Sequence, residues 1–186
     1  MTSTANIYLV GPMGSGKSAV GRRVAKLMGM AFRDNDEEIE QRTGVDIPLI
    51  FEKEGEAGFR RREAAVLADM VRESGIVLAT GGGTPMNPDS RSLLAAGGRV
   101  VYLYTSVAEQ VRRTSRTRHR PLLDVDDPEE VLTRLFAERD PVYRQLADVV
   151  VATDGRHVNT VARDIVAQLK QLGRSDAGLS EPSNSP

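Results

Sequence analysis

Gly11-Pro12-Met13-Gly14-Ser15-Gly16-Lys17-Ser18 constrains the fold of this chain more than any other stretch. It fits the pattern G-x-x-x-x-G-K-[ST] at every fixed position. Before it, Ile7-Tyr8-Leu9-Val10 is a short apolar run of strand formers. After it, Val20, Val24, Leu27 and Met28 recur at i, i+4, i+7 and i+8, one face of a helix. Strand, glycine loop and helix form the setting in which such a loop cradles phosphate. Glycines let the backbone curl round an anion without Cβ clashes. Successive N–H groups then point inward, and the helix start adds partial positive charge. Gly14, Ser15, Gly16, Lys17, Ser18 and Ala19 are therefore candidate nucleotide-binding residues. Lys17 is expected to reach the β- and γ-phosphates and the Ser18 hydroxyl to meet Mg²⁺, with ATP as co-substrate.

The remaining bounds are broad. A length of 186 residues predicts one domain with a buried core. A net charge of −1 offers no overall field for nucleic acid or an anionic membrane. With no cysteine, disulfides and thiolate metal sites are excluded. Met1 to Asn6 show no leader pattern, and no apolar run nears the ~20 residues of a membrane span. A cytoplasmic monomer is the expectation.

Beyond the loop helix, Ala31-Phe32 reads as a second strand closed by Asp34-Asn35-Asp36. In an extended segment Asp34 and Asp36 share a side. They are either a pair of functional carboxylates or the acidic start of a helix. A short helix is expected from about Asp36 to Arg42, ending at Thr43-Gly44. Asp46 and Pro48 open a short helix through Phe51, and Glu54-Gly55-Glu56 separates it from a longer one over Ala57 to Ser74. Phe59, Val66 and Met70 share a face of that helix. Arg60, Arg61 and Arg62 fall near its start, where the dipole disfavours cations. One of them has a use, or all form a solvated face with Glu63 as the i+3 partner of Arg60.

Ile76 to Thr80 is an apolar strand of the kind buried in a parallel sheet, and it ends in Gly81-Gly82-Gly83. Three glycines at a strand end give bare N–H groups and close approach to a ligand. No Asp closes this strand, so Asp34 is the candidate for the metal-side carboxylate. A helix over Pro88 to Ala96, a strand over Arg99 to Tyr104, a helix capped by Ser106 and Glu109, and an arginine-rich stretch follow. With no interleaved aromatics and a slightly acidic chain, that stretch reads as a mobile lid over polyphosphate, about 112–124, rather than a nucleic-acid surface. A helix from Asp127, a strand over Ala147 to Ala152 and an amphipathic helix marked by Val158, Val161, Ile165, Leu169 and Leu172 close a domain ending near 172. Residues 173–186, poor in apolar side chains, read as a disordered tail.

Alternating strands and helices predict an α/β, three-layer fold with a parallel sheet and its ligands at the carboxyl ends of the strands. The phosphate loop, Asp34, Asp36 and Gly81 to Gly83 all fall at such ends.

Taken together, the chain resembles the shikimate kinases. The matching pieces are Gly11 to Ser18, Asp34-Asn35-Asp36, Phe59-Arg60-Arg61 with Glu63, Thr80 to Gly83, Arg120-Pro121-Leu122-Leu123 and Arg139-Asp140-Pro141-Val142-Tyr143, in the family's order and spacing. The resemblance implies a P-loop kinase fold with a five-stranded parallel sheet flanked by helices. It also implies transfer of the ATP γ-phosphate to the 3-hydroxyl of shikimate, a step toward aromatic amino acids. By position it implies Ser18 and Asp34 as the Mg²⁺ side, and Asp36 as the group that orients or deprotonates the nucleophile. Arg60, Arg139, Gly81, Gly82 and Gly83 are implied to hold shikimate, Lys17 and Arg120 to act on the phosphates, and Arg113 and Arg156 to face adenine. Two arginines suit a small carboxylate, because each fork donates two hydrogen bonds. Ala19 stands where many members have Thr, and the lid has more arginines than usual. Two other readings stand beside this one: a gluconate or nucleoside monophosphate kinase of the same fold, and an ATP-binding module without an acceptor.

Overall fold

The computed structural model describes residues 5–115 and 127–178. The element order is β1 (Asn6–Val10), α1 (Lys17–Met28), β2 (Ala31–Asp34), α2 (Asn35–Thr43), α3 (Ile47–Met70), β3 (Ile76–Ala79), a 3-10 turn at Thr84–Met86, α4 (Pro88–Gly97), β4 (Gly98–Tyr104), α5 (Val107–Thr114), α6 (Pro128–Leu146), β5 (Val149–Ala152) and α7 (Val158–Gly178). The five strands form one parallel sheet in the order β2-β3-β1-β4-β5. The expected three-layer sheet is what forms.

The strands read as continuous apolar runs because both faces are covered. Tyr8, Val10, Leu78, Val100 and Tyr102 point to a core shared with Ile39, Phe59, Leu67, Leu94 and Tyr143 of the helices. Ile7, Leu9, Val77, Val101 and Leu103 point to the opposite core, filled by Val20 and Val24 of α1 and by Val161 and Ile165 of α7. Leu27, expected on the buried face of α1, is 39% exposed.

Two open points resolve and one sequence expectation changes. First, of the two readings of Asp34-Asn35-Asp36 the helix start is what forms: the strand ends at Asp34, and the helix expected from about Asp36 begins at Asn35. Asp34 is extended (φ −130°, ψ 124°) and caps α2, accepting from the N–H groups of Asp36 and Glu37 at 3.0 and 3.4 Å. Helix therefore begins one residue after Asp34, and Asp36 lies in its first turn. Second, the two helices expected on either side of Gly55 do meet at a break there, and α3 spans both. Gly55 takes φ 68°, ψ −178° and breaks the helical path. Arg62 pairs with Glu54 across the kink at 2.6 Å. Third, the closing helix does not stop at 172 but runs to Gly178. A formed helix adds a hydrogen bond for each residue it extends, and a single Gly173 costs only about 1 kcal/mol. Low apolar content removes packing, not helix.

Candidate active site

Gly11, Gly14 and Gly16 carry φ of 146°, 79° and 86°, a region side chains avoid. A Cβ on Gly11 would also meet Leu103 O at 2.8 Å. The loop thus turns tightly over the ends of β1 and β4. Helices α2, α3, α4, α5 and α6 have side-chain caps from Asp34, Asp46, Asn87, Ser106 and Asp127. Helix α1 differs: Gly16 supplies no side-chain cap and no acidic residue lies in its first turn. Its leading N–H groups are left to an anion. Lys17 Nζ reaches across the loop to the carbonyls of Gly11 and Pro12, both at 2.8 Å. Ser18 Oγ donates to Asp34 Oδ2 at 2.5 Å, joining α1 to the end of β2. Ala19 is exposed beside it.

Ser18 and Asp34 bring two hard oxygen donors together. Such a partial set suits Mg²⁺, which completes its shell with water and phosphate oxygens. Among the described residues, no three His, Cys, Asp or Glu side chains form a metal cage.

On the other side of the loop, the glycine triplet is shaped by protein charge. A Cβ on Gly81 would lie 2.3 Å from Glu63 Oε1, and one on Gly83 would lie 2.5 Å from Arg60 Nη1. A Cβ on Gly82 would stand 3.5 Å from both Arg139 Nη1 and Gly11 O. Gly81 and Gly83 therefore each make room for one charged head, while Gly82 stands at ordinary contact distance from Arg139 and the phosphate loop. Gly83 itself is right-handed (φ −89°), so space rather than conformation requires it. Glu63 is 3% exposed and fully engaged: Oε2 accepts from Arg60 Nη1 at 2.8 Å, and Oε1 from Thr84 Oγ1 at 2.7 Å. Arg60 also reaches Glu56 at 3.1 Å. Arg139 is buried in α6, and Tyr143, one turn on, donates its phenol to Gly82 O. Burial pushes the Tyr143 phenol up to about 12, against the pull of Arg139, so it remains a donor.

Asp36 faces this cluster. Its Oδ1 is sealed from solvent with no hydrogen-bond partner among the described residues, 3.4 Å from where a Gly81 Cβ would stand. Burial, then repulsion from Asp34 and Glu63, raise its carboxyl from 3.8 to about 6, while Lys17 and Arg60 pull it down. A carboxylate so placed is short of partners and basic for its type, fit to accept a hydroxyl proton.

The opposite flank belongs to α5 and the end of β5. Arg113 donates to Gly14 O at 3.0 Å and to Thr153 O at 2.9 Å, and pairs with Glu109. Arg156 donates to Ala152 O at 3.1 Å and pairs with Asp164. Both lie on the β4–β5 side of the phosphate loop. Of the expected lid, 112–114 end α5, while 116–124, with Arg120, lie outside the described residues.

A family model described as shikimate kinase matches residues 13–170. The chain is 54% identical over 167 residues to the shikimate kinase of Pseudomonas syringae pv. tomato, covering 90% of this chain and 97% of that one. It is 54% identical over 169 residues to the shikimate kinase of Shewanella baltica, covering 91% and 99%. The chain belongs to the shikimate kinase family. The shikimate kinase from Acinetobacter baumannii, solved in complex with shikimate, superposes with a TM-score of 0.89 at 48% identity, covering 90% and 94% of the two chains. A gluconokinase from Sinorhizobium meliloti, at 20% identity and a TM-score of 0.59, shares the fold alone. As a shikimate kinase the chain is an enzyme, a P-loop transferase of the shikimate pathway with ATP as co-substrate. No helix among the described residues is long and apolar enough to cross a membrane.

The sequence pattern left two contributors without a role. Glu63 was visible only as a local partner of Arg60, yet it lies on the Phe59–Val66–Met70 stripe, all buried. A carboxylate on an apolar stripe is a legible signal of a buried ion pair. Thr84, 1% exposed, carried no signal, because its value depends on the turn that brings it to Glu63.

Proposed function

We propose that this enzyme transfers the γ-phosphoryl group of Mg-ATP to the 3-hydroxyl of shikimate, giving shikimate 3-phosphate and ADP, as a cytoplasmic monomer. One observation carries the residue assignment: the Gly82 position lies within 3.5 Å of both Arg139 Nη1 and the phosphate-loop carbonyl of Gly11. An acceptor held by Arg139 would stand beside the phosphates.

Arg60 and Arg139 bind the shikimate carboxylate and orient the ring against Gly81, Gly82 and Gly83. Asp36 accepts the proton of the 3-hydroxyl as its oxygen bonds to phosphorus and the bridge to the β-phosphate breaks. The loop N–H groups, Lys17 and Arg120 stabilise charge on the transferred group. Arg113 and Arg156, on the β5 flank, face adenine. Ser18 and Asp34 would hold Mg²⁺, which would neutralise phosphate charge when bound.

ADP release from Mg-ATP should depend on shikimate and not on gluconate or nucleoside monophosphates. Release with gluconate alone would remove the roles of Arg60 and Arg139. A second expectation concerns Arg60. Arg60→Ala should raise the shikimate KM by about tenfold or more and leave the ATP KM nearly unchanged, the scale of a lost charge-assisted pair. Gly83→Ala, whose methyl would displace the same guanidinium, should repeat that split. A raised ATP KM with unchanged shikimate KM would place Arg60 on the wrong ligand.

A further inference from the structure

Helix α6 is weakest where it matters most. Pro141 lies inside it, two residues after Arg139, and removes the N–H that would bond the Ala137 carbonyl. Arg139 is nevertheless buried against the glycine turn, so something else must hold this segment.

The holding group comes from the sheet. Tyr102 of β4 is fully buried, and its hydroxyl donates to Asp140 Oδ1 at 2.7 Å. The other oxygen of Asp140 accepts from Arg144 Nε at 2.8 Å. The Arg144 guanidinium lies over the Tyr102 and Tyr104 rings, 5.8 and 5.2 Å from their centroids. The Tyr102 ring also packs on the Tyr143 ring at 5.0 Å, and Tyr143 is the residue that donates to Gly82 O. Tyr102 thus grips α6 on both sides of Pro141, by hydroxyl at 140 and by ring at 143. Burial and the facing Asp140 carboxylate raise its phenol, which keeps the donor protonated.

We propose that Tyr102 and Asp140 are positioning residues for the acceptor: they touch no substrate, but fix Arg139 and the Gly82 carbonyl relative to each other across the helix bond missing at Pro141. The proposal rests on the assignment of Arg139 to the acceptor. A hydroxyl buried in the sheet then sets shikimate affinity while leaving the nucleotide side alone.

The test compares Tyr102→Phe, Asp140→Ala, the double variant, Arg139→Ala and Tyr8→Phe in the full-length enzyme. Tyr8 is an equally buried tyrosine whose hydroxyl meets Asn6 at 3.2 Å, on β1 and away from α6. Tyr102→Phe and Asp140→Ala should each raise the shikimate KM about fivefold to tenfold, with the ATP KM within about twofold of wild type. The double variant should be no worse than Asp140→Ala alone, since both single changes remove the Tyr102–Asp140 bond and Asp140→Ala also releases Arg144. Tyr8→Phe should lower the melting temperature without moving the shikimate KM. An unchanged shikimate KM in Asp140→Ala would overturn the proposal, as would additive effects or an equal rise in Tyr8→Phe. If Tyr102→Phe does not fold, Asp140→Ala against Tyr8→Phe decides. A normal shikimate KM in Arg139→Ala would instead overturn the acceptor assignment itself.

Discussion

Asp36→Asn should lower kcat by on the order of 10²- to 10⁴-fold while making the metal-free protein more stable. The first effect is the usual range for a positioned base. The second follows from linkage. The Asp36 carboxyl is raised from 3.8 to about 6 because burial and the neighbouring carboxylates disfavour its charge. Below pH ~4 it is protonated in both folded and unfolded chains and costs nothing. As pH rises toward 6, the unfolded chain releases the proton and the folded one resists, so a penalty accumulates and is complete above about pH 6. A rise of about two units corresponds to at most ~3 kcal/mol. Asn carries no such penalty. Thermal unfolding with chelator should therefore show Asp36→Asn melting about 5 °C or more above wild type at pH 7.5, with the gap closing near pH 4. A melting temperature unchanged at pH 7.5 would mean that the carboxylate is not strained by its neighbours, and a near-normal kcat would remove it from the chemistry.

Glu63→Ala should be the most destabilising single change around the acceptor side. Glu63 is almost fully buried, and its removal leaves Arg60 with only the exposed Glu56 and leaves Thr84 Oγ1 without its acceptor. Breaking one half of a buried pair typically costs about 3–5 kcal/mol; the partly exposed Arg60 head moves the expectation to about 2–4 kcal/mol. Urea unfolding should show the midpoint fall accordingly, with the slope unchanged. Glu63→Gln keeps the volume and the Thr84 bond and should lose less. An unshifted midpoint in Glu63→Ala would show that the pair is not what holds α3 to the turn after β3.

The features legible in sequence were those whose cause is local. The phosphate loop declares itself because its glycines take backbone angles other residues avoid and its Lys17 bonds carbonyls within the same loop. Gly55 announced a break because nothing else in that run adopts its backbone angles. Asp46 and Ser106 were readable as caps because a cap is satisfied within three residues. Asp34-Asn35-Asp36 left two readings open, because propensity alone cannot tell whether the residue after Asp34 continues a strand or starts a helix. The capping bonds to Asp36 and Glu37 settle it. The triplet Gly81 to Gly83 was readable as a close approach, but what approaches was not. Glu63, Arg139 and Arg60 arrive from two distant helices, and their arrival depends on the whole sheet. Tyr102 had no sequence signal at all, since an apolar strand absorbs a tyrosine without comment.

The strand order has an evolutionary consequence. With β1 in the centre, β2 and β3 stand on one side of the phosphates and β4 and β5 on the other. On the assignments proposed above, most of the acceptor's contacts come from a contiguous block, residues 31–87, and those of the nucleotide base come later in the chain. Arg139 alone crosses back. A lineage could therefore change which small molecule is phosphorylated mainly by rewriting one segment around a retained Asp34, with a few later codons that place Arg139, while the phosphate loop is inherited intact.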